Sequence, residues 1–304
     1  MTQVSSNDIL FLKLLAEYRV LTVAQIAALY NITPRAARKK TKTLFSENLI
    51  FIMPMNFGQG KGRPENLITI SKAGVSALYT NKKLDETVSD ERLLFKDYQR
   101  IEHELLVNWF RIHLIHLEEH VPELSVDFIS PATPFLRLRQ DGSPLISDNV
   151  KIDGQERTFV PDGVFSIANK DQQKRLLFFL EVDMGTESII SSNGKSDTIS
   201  QKVLNYSSYY ACGGYKRYQK KWESELNGFR VLFVTNTAQQ KETISRFLRE
   251  SRSYEFVWVT DQKQVFLHGL GSTIWARGGH TETSPHSIIG PTLAKELPLP
   301  VNHD

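Results

Sequence analysis

Five consecutive large apolar residues, Leu176-Leu177-Phe178-Phe179-Leu180, run straight into Glu181-Val182-Asp183, and no other stretch constrains this chain as much. A short apolar run without polar alternation reads as a strand buried on both faces. Lys174 to Asp183 is therefore expected to form one strand. Leu124–Ile129 reads as an earlier strand, Phe135–Leu138 as a hairpin limb, and Thr158–Ile167 as the element before the buried run. A helix over about 198–210, a buried strand Arg230–Thr235, a helix over 239–251 and a strand over 255–260 follow. Strands and helices in this order predict an α/β domain with a central mixed sheet over residues 121–275. Residues 140–154, rich in Asp, Gly, Ser and Asn, read as loop, and 276–304 as a flexible tail.

The first third obeys a different period. Ser5 to Asp8 offers capping groups ahead of Ile9, Leu12 and Leu15, spaced for a helix. Thr22 caps a short helix, Val23 to Tyr30; Asn31-Ile32-Thr33 is a turn. Pro34 then opens a third helix that reaches about Asn48. Its inner side is predicted to carry Ala37, Thr41, Leu44 and Phe45, and its outer side Arg35, Arg38, Lys39 and Lys42. Short helix, tight turn and basic helix describe a helix-turn-helix, whose second helix enters the DNA major groove. Leu49–Met55 and Asn66–Ser71 read as two strands joined by the basic tip Gly58-Gln59-Gly60-Lys61-Gly62-Arg63-Pro64. That hairpin is a wing, with Lys61 and Arg63 placed to meet phosphates or probe the minor groove. Over about 75 residues the stretch resembles the winged-helix domains of bacterial regulators, most specifically in Gly-Arg-Pro followed by Ile-Thr-Ile-Ser-Lys-Ala-Gly.

Charge agrees with that reading. Residues 1–83 carry twelve Lys and Arg against four acids, whereas 84–304 carry 25 against 30. A basic module on an otherwise acidic chain suits a polyanion such as DNA. Residues 84–120 are expected to be a polar linker and a long amphipathic helix from Glu91 to about Glu119. That helix holds His103, His113, His116 and His120. The three-residue spacing of His113 and His116 lacks a completing ligand motif, so packing is the preferred reading there.

The acids after Val160 carry the chemistry. Asp162 opens one strand, and Glu181 and Asp183 close the next on one face. Should the strands be neighbours, three carboxylates converge into a hard oxygen site suited to Mg²⁺ or Mn²⁺, which can activate water against a phosphodiester. In Pro161-Asp162 followed by Glu181-x-Asp183 the chain resembles the PD-(D/E)xK nuclease superfamily. It looks more closely like the replication-relaxation family of plasmid and mobile-element proteins. That likeness rests on the winged helix, the His103 helix, Pro161-Asp162-Gly163, Glu181-Val182-Asp183-Met184-Gly185-Thr186-Glu187, and Lys202 with Tyr206 and Tyr209. The nuclease pattern ends in Lys where this chain has Asp183. The resemblance implies Lys202 as a migrated equivalent and Glu102 as an acid from the preceding helix.

Composition removes several classes. One cysteine, Cys212, excludes a disulfide scaffold or thiolate cluster, and is expected to be a packing residue in a cytoplasmic protein. No apolar run spans a bilayer, and Met1–Asp8 lacks the pattern of a signal peptide. The expectation is a two-domain cytoplasmic protein that binds double-stranded DNA through Arg35, Arg38, Lys39, Lys42, Lys61 and Arg63. Homodimerisation on a palindrome is expected, because one recognition helix reads only a short half-site. The resemblance implies plasmid or mobile-element replication, mobilisation or their control, with replication or transfer proteins as partners. Two alternatives stand beside it: a Mg-dependent endonuclease or nickase using Asp162, Glu181, Asp183 and Lys202, and a transcriptional repressor.

Overall fold

The computed structural model describes residues 4–55, 65–84, 89–129, 146–190, 198–251, 254–280 and 285–299. The expected wing tip with Lys61 and Arg63, and the expected limb 135–138, lie outside them. The described residues form two compact units, one running to Ile112 and the other from His113 to Leu299. Among the described residues no helix is long and apolar enough to cross a membrane.

In the first unit, α1 (Ser6–Tyr18) begins where the Ser5 hydroxyl accepts the Asp8 amide at 3.2 Å. It buries Phe11, Leu12, Leu15 and Ala16. After β1 (Val20–Thr22), a reciprocal cap starts α2 (Val23–Tyr30): Gln25 N–H donates to Thr22 Oγ1, and Thr22 N–H to Gln25 Oε1. Asn31, with φ 48°, turns the chain, and Thr33 caps α3 (Pro34–Ser46). Next come β2 (Ile50–Met55), β3 (Glu65–Ile70) and α4 (Lys72–Thr80). The three strands form an antiparallel sheet in the order β1-β3-β2. Gly74 in α4 is needed for close packing, since a Cβ there would stand 2.2 Å from the Leu49 carbonyl oxygen.

The helix expected from Glu91 is broken into α5 (Asp90–Leu93), a 3-10 turn over Tyr98–Arg100 and α6 (Ile101–His120). The break lets Phe95 join Val20, Leu67, Ile101 and Leu105 in one buried cluster. The start of α6 is bound into this unit by polar groups. Asn108 donates to the carbonyls of Tyr18 (3.2 Å) and Val20 (2.8 Å), and Gln25 Nε2 to that of Leu105 (2.8 Å).

The second unit holds β4 (Leu124–Ile129), β5 (Asp148–Ile152), β6 (Gln155–Phe159), β7 (Gly163–Asn169), β8 (Lys174–Asp183) and α7 (Ile199–Ala211). It continues with α8 (Tyr218–Trp222), β9 (Phe229–Thr235), α9 (Ala238–Glu250), β10 (Val257–Asp261), α10 (Gln262–His268) and β11 (Ala276–Arg277). A mixed sheet runs β11-β10-β9-β8-β7-β4, with β8, β9 and β10 parallel and the outer pairings antiparallel. β8 lies inside it, and Leu177 to Val182 are buried as an interior strand requires. Phe179, Tyr206, Tyr209 and Phe229 pack ring against ring between this sheet and α7.

Four further expectations need correction. Phe45 is 48% exposed rather than inward, because Ala37, Thr41 and Leu44 already fill the inner face of α3. Part of the expected loop 140–154 is the β5–β6 hairpin, which continues to Phe159; its polar, charged strands hide the alternation. The described parts of the expected tail, 276–280 and 285–299, are packed: Ala276–Arg277 forms β11, Ile288 is fully buried, and Leu297 N–H donates to the His268 carbonyl at 2.9 Å. Cys212 is exposed rather than packed.

Candidate acidic site and basic helix face

The pairing of Gly163 with Leu180 sets Asp162 beside the end of β8. Asp162 N–H donates to the Leu180 carbonyl at 3.0 Å, and Val182 N–H donates to Asp162 Oδ2 at 2.8 Å. Gly163 has no room for a side chain, because a Cβ would lie 2.3 Å from the Phe128 ring. Glu181 is buried with both oxygens engaged. Oε1 accepts the Tyr206 hydroxyl at 2.5 Å, and Oε2 lies 2.9 Å from Lys202 Nζ. Lys202 and Tyr206 sit one turn apart on α7, whose start is capped by Thr198, so both reach the same carboxylate. Lys202 Nζ also meets Glu187 Oε1 at 2.7 Å. One ammonium thus lies between two carboxylates, with Asp162 near enough to act on it electrostatically.

Burial is the largest single influence on Glu181, Lys202 and Tyr206. It pushes the Glu181 carboxyl up to about 7 against the pull of Lys202, and the charge of Asp162 adds to the rise. For Lys202, burial disfavours the charged form, but Glu181, Asp162 and Glu187 outweigh it and hold the ammonium above its ordinary range. Burial, with Glu181 beside it, keeps the Tyr206 hydroxyl protonated as a donor. A pocket of about 150 Å³ is lined by Glu181, Lys202, Asn205 and Tyr206 and by Thr158, Phe159 and Val160 at and just past the end of β6.

Asp183 is held by different groups. Its carboxylate accepts Gly185 N–H at 3.0 Å and Gln240 Nε2 at 2.6 Å. Glu102 is exposed on the part of α6 that belongs to the first unit, and is not among the residues these contacts bring together. A divalent cation does not fit the acids as they stand. Both Glu181 oxygens have partners, Asp183 is tied to the start of α9, and Lys202 already brings the positive charge that a cation would supply.

Sequence reasoning names Glu187 only as the end of the Glu181–Glu187 segment that carries the family likeness, without a role, and does not single out Gln240. Glu187 lies in an irregular segment without a period, and Gln240 is 57 residues from Asp183. Neither contact leaves a local signal.

In the first unit, Arg35, Arg38, Lys39 and Lys42 are all exposed on α3. Lys40 differs: it pairs with Asp8 at 3.1 Å and lies over the Phe11 ring. The exposed set follows from helix geometry, since Ala37, Thr41 and Leu44 at three- and four-residue spacing take the opposite side.

The chain belongs to the replication-relaxation family, whose model matches residues 12–224 and so takes in both α3 and the Asp162–Glu181–Lys202 cluster. Neither a curated protein nor a solved structure matches it.

Proposed function

We propose that this chain is a cytoplasmic DNA-binding protein acting in the replication or relaxation of plasmids or other mobile DNA. The observation that carries the reading is the exposed basic face of α3, with Arg35, Arg38, Lys39 and Lys42 and no acid within the helix. Two helices joined by a three-residue turn and followed by paired strands support a winged helix, with α3 in the major groove. Family membership supports the biological setting. A homodimer on a palindromic site, in contact with replication or transfer proteins, completes the proposal.

For the second unit, the adjacent strands carrying Asp162 and Glu181, the parallel β9 and the helix bearing Lys202 support a PD-(D/E)xK-like domain. We propose that it works without a divalent ion, because Lys202 and Tyr206 engage Glu181 while Gln240 engages Asp183. The competing reading is a Mg²⁺- or Mn²⁺-dependent endonuclease. It is favoured by the 2.9 Å contact between Lys202 and Glu181, which sets a lysine beside the acids as that chemistry needs.

Supercoiled plasmid incubated with the chain in Mg²⁺, Mn²⁺ or EDTA separates the two. The proposal expects retarded but uncut DNA in every condition. Metal-dependent nicking that Asp162→Ala/Glu181→Ala abolishes establishes the nuclease instead.

A further inference from the structure

The last turn of α6 presents three metal-ligating side chains outside the acidic cluster. His116, Glu119 and His120 are three and four residues apart on one helix face, and their ligand atoms lie within 4.8 Å of one another. Glu119 and His120 are exposed, and His116 is half-buried. The two imidazole rings stand 4.1 Å apart, centre to centre.

A backbone contact prepares one of these rings. His120 Nδ1 lies 2.9 Å from the His116 carbonyl oxygen. A carbonyl only accepts, so Nδ1 carries the proton and the neutral ring keeps its lone pair on Nε2. Ligating histidines commonly make this kind of hydrogen bond through their second nitrogen. Two neighbours on the helix are committed elsewhere. Glu118 accepts Val126 N–H at 3.1 Å, and His113 is buried edge-on to the Phe266 ring.

We infer that His116, Glu119 and His120 form a binding site for a borderline divalent transition-metal ion, zinc foremost, with its remaining coordination open to solvent. Two imidazoles and one carboxylate suit such an ion and do not suit Mg²⁺, which prefers oxygen. At tetrahedral angles, bonds of about 2.0–2.2 Å set ligand atoms about 3.3–3.6 Å apart, so side-chain adjustments of about an ångström close the site. The bound ion would brace the end of α6 just ahead of Val121, Pro122 and β4.

The test uses the full chain without an affinity tag, titrated calorimetrically with Zn²⁺ and followed by visible absorption with Co²⁺. The expected result is one zinc per chain and Co²⁺ bands of a low-coordinate nitrogen–oxygen site. His116→Ala and His120→Ala should each weaken zinc binding at least tenfold and remove the bands, while Asp162→Asn/Glu181→Gln should leave both intact. The substituted side chains lie outside the core, so circular dichroism should match the parent. Zinc binding unchanged in both histidine variants, zinc lost with the acidic pair instead, or no zinc binding by the parent would overturn the assignment.

Discussion

Lys202 Nζ lies 2.9 Å from Glu181 Oε2, and both side chains are largely withdrawn from solvent. A buried pair of this kind is costly to break on one side only, because the survivor keeps a charge it cannot hydrate. Lys202→Met strands Glu181 and Glu187 and should cost about 3 kcal/mol in urea unfolding at pH 7. Lys202→Met/Glu181→Gln should be milder than the single lysine variant. Equal losses in the two proteins would show that the pair is not coupled.

Glu181 also sets a direction with pH. Its folded-state value of about 7 lies above the 4.5 of an unfolded glutamate, so the folded chain binds the extra proton between those values. The stability this contributes is present below about 4.5 and is lost as pH rises through 7. Melting temperatures from pH 5 to 8 should therefore fall for the parent relative to Glu181→Gln. A parent that gains on the variant over that range would contradict the assignment.

Tyr206→Phe removes the hydroxyl that donates to Glu181 at 2.5 Å while keeping the ring against Phe179. A hydrogen bond to an ionisable partner is worth about 1.5–3 kcal/mol, and a loss of that size is expected in denaturant titration. No loss would mean that the hydroxyl is dispensable to the carboxyl.

The start of α6 gives a separate test in the first unit. Asn108→Ala leaves the Tyr18 and Val20 carbonyls without their donor and should destabilise this unit by about 2 kcal/mol. Amide exchange of β1 and of α1's last turn should quicken. Protection unchanged there would show that the helix does not brace this corner.

Much of this architecture was legible because it rests on local period. The apolar run from Leu176 to Leu180 and its charged flanks mark β8 at both ends. Ala37, Thr41 and Leu44 mark the inner face of α3. The four-residue spacing of Lys202 and Tyr206 is visible in the sequence, but not that Tyr206 meets Glu181. What stayed hidden depends on distant partners. Strand alternation puts Asp183 with Glu181, but Gln240 draws its carboxylate into another set of contacts. Glu187 gains its role only once Lys202 arrives from the next helix. Residues 285–299 pack through backbone contacts to the His268–Gly271 turn and through scattered apolar side chains, neither of which leaves a period.

The central claim is that α3 binds DNA, and the salt dependence of binding tests it most directly. Fluorescence anisotropy with a labelled plasmid duplex gives the slope of log K against log salt for the parent and for Arg35→Ala, Arg38→Ala, Lys39→Ala and Lys42→Ala. Each cation that meets a phosphate should, when removed, weaken binding across sequences and flatten the slope by about 0.9. The variant with all four replaced should lose most of its affinity while keeping the parent's circular dichroism. An unchanged slope and affinity in that folded variant would contradict the account.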